Sequence, residues 1–150
     1  MIFEHVSITV NDLDQALDFY GKVFGFELLR RTTVNAYMHL DDELIEFLTS
    51  DAPNPMKTPK DLADLEGIMW SRMGLNHLGF RVDNMEEAIK TIEKNGGKVG
   101  PIATFKPEIE YVKEVQSDKL KRAAKPIKGD SWRAAMFVDP EGNLLELLER

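Results

Sequence analysis

The chain has 150 residues, 43% of them hydrophobic, which is enough for one globular domain with a sizeable core. It contains no cysteine, so disulfides, thiolate metal sites and a cysteine nucleophile are excluded. The formal net charge of −7 argues against general nucleic-acid binding, and no apolar run approaches the roughly 18 residues of a membrane span; a cytoplasmic protein with neither partner is expected.

Residues 2–10 alternate as a half-buried strand, with Val6, Ile8 and Val10 on one face and His5, Ser7 and Thr9 on the other. A helix follows, opened by a capping box of Asp12 and Gln15 and carrying an apolar stripe of Leu13, Ala16, Leu17 and Tyr20. Gly21 weakens it and Gly25 stops it. Strand patterns fit 26–33, 35–41 and 43–49, with Asp41 and Asp42 as the last turn. Prolines 53, 55 and 59 break regular structure in 51–73, which reads as a linker with a short helix at 60–66.

The plan then repeats. HVSITVNDLDQAL at 5–17 matches HLGFRVDNMEEAI at 77–89, so that His5 pairs with His77, Asp12 with Asn84 and Gly25 with Gly97, always 72 positions apart. The second copy again gives a strand and a helix capped by Asn84 and Glu87. Asn95, Gly96 and Gly97 end this helix, and strands follow at 98–105, 132–138 and 143–149. Residues 139–142 make the last turn. Each copy closes on a strand holding one carboxylate in an apolar run, LIEFL around Glu46 and LLELL around Glu146. These two lie 100 apart rather than 72, which places an insertion of about 28 residues at 106–131, read as partly helical over 108–124 and ending in a basic run. The expected architecture is α+β: one domain over 1–150, with module 1 at about 1–50 and module 2 at about 74–150.

Strand parity puts Leu44 and Leu48 beside Glu46, and Leu144 and Leu148 beside Glu146. A carboxylate buried without a partner costs several kcal/mol, so both glutamates need one, and apolar neighbours would raise their basicity. His39 has no counterpart in module 2 and reads as a spectator.

A duplicated strand–helix–three-strand unit, with a His on each first strand and a Glu on each last, resembles the vicinal-oxygen-chelate superfamily. The likeness rests on the segment from His5, on Asn76 to Asp83, and on Asp139 to Leu147, and it spans nearly the whole chain. It implies two βαβββ modules whose curved mixed sheets enclose a metal-binding cleft where His5, Glu46, His77 and Glu146 meet. It further implies one divalent metal ion (nickel, cobalt, zinc, manganese or iron) and a homodimer. The His, Glu, His, Glu order is closest to glyoxalase I. The implied function is a lyase or isomerase that removes a proton beside a metal-bound carbonyl of a small 2-oxo compound or its thiol adduct, with Glu146, then Glu46, as the base. The superfamily also holds methylmalonyl-CoA-type epimerases, iron ring-cleaving dioxygenases and drug-sequestering proteins of the bleomycin-resistance kind, which stay as alternatives. Lys128 stands where glutathione-dependent members often carry a substrate-binding Lys. Thr9 and Ser50 stand where those members commonly have Arg and Asn. Arg81, the repeat partner of Thr9, is expected to face the cleft and, with Arg122 and Lys128, to hold an anionic substrate, a thiol adduct or an acyl-CoA.

Overall fold

The two alternating halves become two separate four-stranded sheets in a computed structural model that describes residues 3–50, 60, 61, 63, 64, 67, 75–106 and 131–149. Module 1 runs β1 (His5–Val10), α1 (Leu13–Phe24), β2 (Glu27–Arg31), β3 (Asn35–Leu40) and β4 (Glu43–Thr49). Module 2 runs β5 (Leu78–Arg81), α2 (Met85–Lys94), β6 (Lys98–Phe105), β7 (Trp132–Val138) and β8 (Leu144–Glu149). The sheet orders are β1-β4-β3-β2 and β5-β8-β7-β6, with the first pair in each parallel and the rest antiparallel. The fold is therefore α+β with mixed sheets. Of the helix expected at 60–66, residues 63 and 64 are helical; the insertion at 107–130 lies outside the described residues. No helix among the described residues is long and apolar enough to cross a membrane.

Local chemistry sets the element ends. Asp12 and Asn84 accept from the backbone N–H of Gln15 and Glu87 at 3.0 and 3.1 Å, satisfying N–H groups that a helix start leaves open. Gly25 closes α1 in the left-handed region at φ 79°, its N–H bonding Gly21 O while that of Phe26 returns to Tyr20 O. The repeat offset misplaces the equivalent residue in module 2. There the positive φ of 91° belongs to Gly96, and Gly97 is needed for space: a Cβ on it would stand 2.5 Å from Ile92 Cγ2. Each module carries one irregularity in its second strand, between Leu28 and Arg30 and between Val99 and Ile102, where the strand has one extra residue.

The helices cover one face of the sheets. Ile8, Val10, Phe19, Tyr20, Phe47, Met85, Ile92, Phe137 and Leu145 share one buried cluster drawn from both modules. Phe24 of α1 stacks on Phe80 of β5 with ring centres 3.9 Å apart. The β7–β8 turn meets the start of α1: Glu141 accepts from the N–H of Asn11 at 2.7 Å and of Asp12 at 3.3 Å. The strand faces that carry the histidines and glutamates are the ones the helices leave open.

Candidate metal and active site

Register brings His5 and Glu46 together from neighbouring strands. In the parallel β1–β4 ladder Ser7 is level with Glu46 and His5 with Leu44, so the histidine lies one side-chain step along the glutamate's own face. His5 Nε2 is 3.5 Å from Glu46 Oε2. Module 2 repeats the arrangement. Gly79 is level with Glu146, and His77 Nε2 is 3.2 Å from Glu146 Oε2. Gly79 leaves the room this requires, since a Cβ there would already touch Glu146 Oε2 at 3.4 Å. All four side chains are mostly covered yet reach solvent, at 27% and 12% exposure for His5 and Glu46 and 23% and 19% for His77 and Glu146.

Both histidines are oriented from behind by the residue that precedes them. His5 Nδ1 faces Glu4 Oε2 and His77 Nδ1 faces Asn76 Oδ1, each at 2.9 Å. An acceptor oxygen behind each Nδ1 suits the tautomer protonated there, the one that would leave Nε2 free to ligate a metal ion. Glu4 and Asn76 escaped sequence reasoning, although they occupy equivalent positions immediately before the two histidines.

The donor set fits a divalent ion. The Nε2–Oε2 gaps exceed the roughly 2.7–2.9 Å of a charge-assisted hydrogen bond. They approach the ~3 Å between two ligands bonded at right angles, each at about 2.1 Å, to one ion. Two neutral imidazoles and two carboxylates suit nickel, cobalt, zinc, manganese or iron. The repeat leaves open whether the four ligands meet within one chain or between two copies; among the described residues no three His, Asp or Glu side chains come close enough to hold one ion. The physical reason is topological. Each His–Glu pair forms within its own sheet, and the two sheets do not pair with each other.

The two glutamates have different surroundings. Asn35 Nδ2 donates to Glu46 Oε1 at 2.8 Å, and Ser7 and Tyr37 are level with this carboxylate on the neighbouring strands. The Asn35 bond is the largest influence holding the Glu46 carboxyl below the usual range. Tyr37, Ser7 and the nearby His5 act in the same direction, and together they outweigh desolvation. The expected rise in basicity from Leu44 and Leu48 is therefore reversed at Glu46. Burial, helped by the Glu46 charge, pushes the Tyr37 phenol up. Tyr37 also packs edge-on against His5 at 5.3 Å and lies under the Arg30 guanidinium at 4.6 Å.

Among the expected substrate-binding residues, Arg81 is level with Leu148 on the Glu146 face, its guanidinium 3.5 Å from Asp83. Thr9 is level with Leu48 on the Glu46 face. Arg122 and Lys128 lie outside the described residues. His39 is away from the pair, facing Glu27 at 3.9 Å.

The family model described as Glyoxalase/Bleomycin resistance protein/Dioxygenase superfamily matches residues 2–147. A lactoylglutathione lyase of Escherichia coli O157:H7 is 29% identical over 147 residues, covering 97% of this chain and 90% of its own. The crystal structure of a glyoxalase family protein from Enterococcus faecalis superposes with a TM-score of 0.61 at 24% identity, over 99% of this chain and 97% of that one. A variant of the fosfomycin resistance protein FosX from Listeria monocytogenes, solved in complex with Mn(II) and a dihydroxypropylphosphonic acid, superposes with a TM-score of 0.59 at 16% identity, over 98% and 90% of the two chains.

Proposed function

Because the chain belongs to the Glyoxalase/Bleomycin resistance protein/Dioxygenase superfamily, we propose that it is a divalent-metal-dependent lyase or isomerase of glyoxalase type, with each active site completed between two copies of the chain. The observation that carries this is the pair of half-sites. His5 with Glu46 and His77 with Glu146 each present two ligands at metal-compatible spacing, and neither pair has a third ligand within its own chain among the described residues. A twofold dimer that sets the first pair of one copy against the second pair of the other supplies two sites of four ligands. Exposed apolar side chains favour such an approach. Phe3 is 82% exposed and Leu75 59%, each two residues before a histidine, and Leu48 beside Glu46 is 37% exposed. Burial of such side chains is a driving force for association.

A bound divalent ion would polarise the carbonyl and stabilise the enediolate that forms on proton loss. Glu146 takes the proton from the carbon next to the carbonyl and returns it to the neighbouring carbon. The alternation of β8 gives it an apolar flank of Leu144 and Leu148, which keeps competing water away. Glu46 stays ionised under the Asn35 hydrogen bond and holds its place. Arg81, on the Glu146 face, pairs with the anionic end of the substrate, with Thr9 on the opposing half-site. The named lyase relatives favour a thiol adduct of a 2-oxoaldehyde as the substrate class.

The test is turnover of the methylglyoxal–glutathione adduct and of other thiol adducts after loading with nickel, cobalt, zinc or manganese. Metal-dependent isomerisation, lost in Glu146→Gln, is expected. Oxygen consumption with iron, epimerisation of an acyl-CoA ester, or tight drug binding without metal would each replace this reading with another chemistry of the superfamily.

A further inference from the structure

β2 carries two adjacent arginines, and its bulge sends them to opposite faces of the first sheet. Glu27 is level with His39 and Leu28 with Met38; one extra residue follows, after which Arg30 is level with Tyr37 and Arg31 with Ala36. In an unbroken ladder Leu29 would stand opposite Tyr37, and Arg30 opposite Ala36 on the helix side. The bulge instead sets Arg30 on the open face, in one row with Tyr37, Glu46 and Ser7. Arg31, on the helix side, pairs with Asp14 of α1. The bulge of module 2 sets Gly100 and Pro101 against Met136, level with Glu146, and brings no charge there.

Of the four arginines among the described residues, three face a carboxylate: Arg31 that of Asp14, Arg81 that of Asp83, and Arg133 those of Glu86 and Glu149. Among the same residues no carboxylate pairs with Arg30. It is exposed, and its guanidinium stands over the Tyr37 ring at 4.6 Å. A ring face steadies a guanidinium without using its N–H donors. Tyr37 in turn packs edge-on against His5 at 5.3 Å, so cation, ring and imidazole form one chain of contacts that ends at the metal pair. We infer that Arg30 is a substrate-binding residue, which takes a carboxylate of the thiol carrier at a subsite across β3 from Glu46. This rests on the metal-dependent reading proposed above. Strands lie about 4.8 Å apart, so the cation lies one to two strand spacings from Glu46, roughly 5–10 Å. An anion held there belongs to the carrier and not to the carbonyl group at the metal. The free N–H groups can grip one carboxylate at two points. In a site completed between two copies Arg81 comes from the opposing sheet, and the two cations together select a carrier with two separate carboxylates.

The experiment is steady-state kinetics of the full-length, Ni(II)-loaded protein with two methylglyoxal adducts, that of glutathione, whose carrier has carboxylates, and that of 2-mercaptoethanol, whose carrier has none. The unfolding midpoint and the oligomeric state are recorded for every variant. In Arg30→Met the preference in kcat/KM for the glutathione adduct is expected to fall by about 10-fold or more, with the loss in KM. Arg30→Lys keeps the charge without the planar fork and should fall between parent and Arg30→Met. Calorimetric titration with S-methylglutathione should show the same order of affinities without turnover. A preference and an S-methylglutathione affinity unaltered in Arg30→Met would overturn the subsite alone. So would a change of oligomeric state in that variant, which would make Arg30 a contact between copies. Absence of Ni(II)-dependent turnover of both adducts by the unsubstituted protein would overturn the metal-dependent reading with it.

Discussion

Tyr20 Oη donates to Asp139 Oδ2 at 3.2 Å across the buried contact between α1 of module 1 and the β7–β8 turn of module 2. Asp139 also takes the N–H groups of Glu141 and Asn143 and the Asn143 amide, at 2.8–2.9 Å, so its carboxylate organises the whole turn. Burial alone pushes its carboxyl up; the donors oppose this without cancelling it. The contact docks the modules through their helix sides and leaves the His–Glu faces available. Tyr20→Phe should lower stability by about 1.5–3 kcal/mol, the value of one hydrogen bond to a charged group. Asp139→Asn should cost more, because its amide sets a donor against donors. Urea unfolding checks both, and an unshifted midpoint for Asp139→Asn would contradict this role.

Gly97→Ala should destabilise by about 1–3 kcal/mol through overpacking. The added methyl would meet Ile92 Cγ2 at 2.5 Å, Val138 O at 3.2 Å and Phe19 Cε2 at 3.3 Å, and none of these is the end of a long flexible side chain. Thermal unfolding measures the loss; a Tm equal to that of the parent would show that the helix–sheet junction gives way freely.

Much of the scaffold was legible in the sequence because its signals are local. Asp12 and Asn84 cap the helices as read, and strand parity placed Glu46 on the face of Leu44 and Leu48. Strand ends were less legible: the first strand read from residue 2 begins at His5, and the one read over 26–33 spans Glu27–Arg31. The donor to Glu46 was not visible, since Asn35 reaches it across a hairpin whose register a sequence does not print. Gly25 and Gly97 match in sequence but differ in conformation, because α2 ends two residues sooner in its repeat than α1 and the left-handed turn falls on Gly96. A repeat also says that two ligand pairs exist, without saying whether they belong to one site or to two halves.

The lowered Glu46 carboxyl has a consequence for acid stability in the metal-free protein. A carboxyl depressed by folding stabilises the folded state above its unfolded value, about 4.3, and that stabilisation is lost as pH falls through the folded value. Asn35→Ala removes the largest cause of the depression. The stability gap between parent and variant should therefore be full near pH 7 and close below about pH 4. Denaturant unfolding across that range measures it; a gap that widens on acidification would contradict the sign.

Arg81→Met should raise KM for anionic thiol adducts by at least 10-fold, the cost of about 1.4 kcal/mol in lost charge pairing. A neutral ester of the same adduct should be turned over equally by parent and variant. Unchanged kinetics with every anionic substrate would remove Arg81 from the site.

Co-expression of two disabled chains tests the shared site most directly. One carries His5→Ala with Glu46→Ala, the other His77→Ala with Glu146→Ala, and each alone should bind no metal and show no turnover. Mixed dimers in which each site draws one half from each copy should regain a single intact site, restoring about a quarter of parental metal binding and activity under random pairing. Mixtures as inactive as the separate chains, alongside a fully active parent, would contradict assembly of the site between copies.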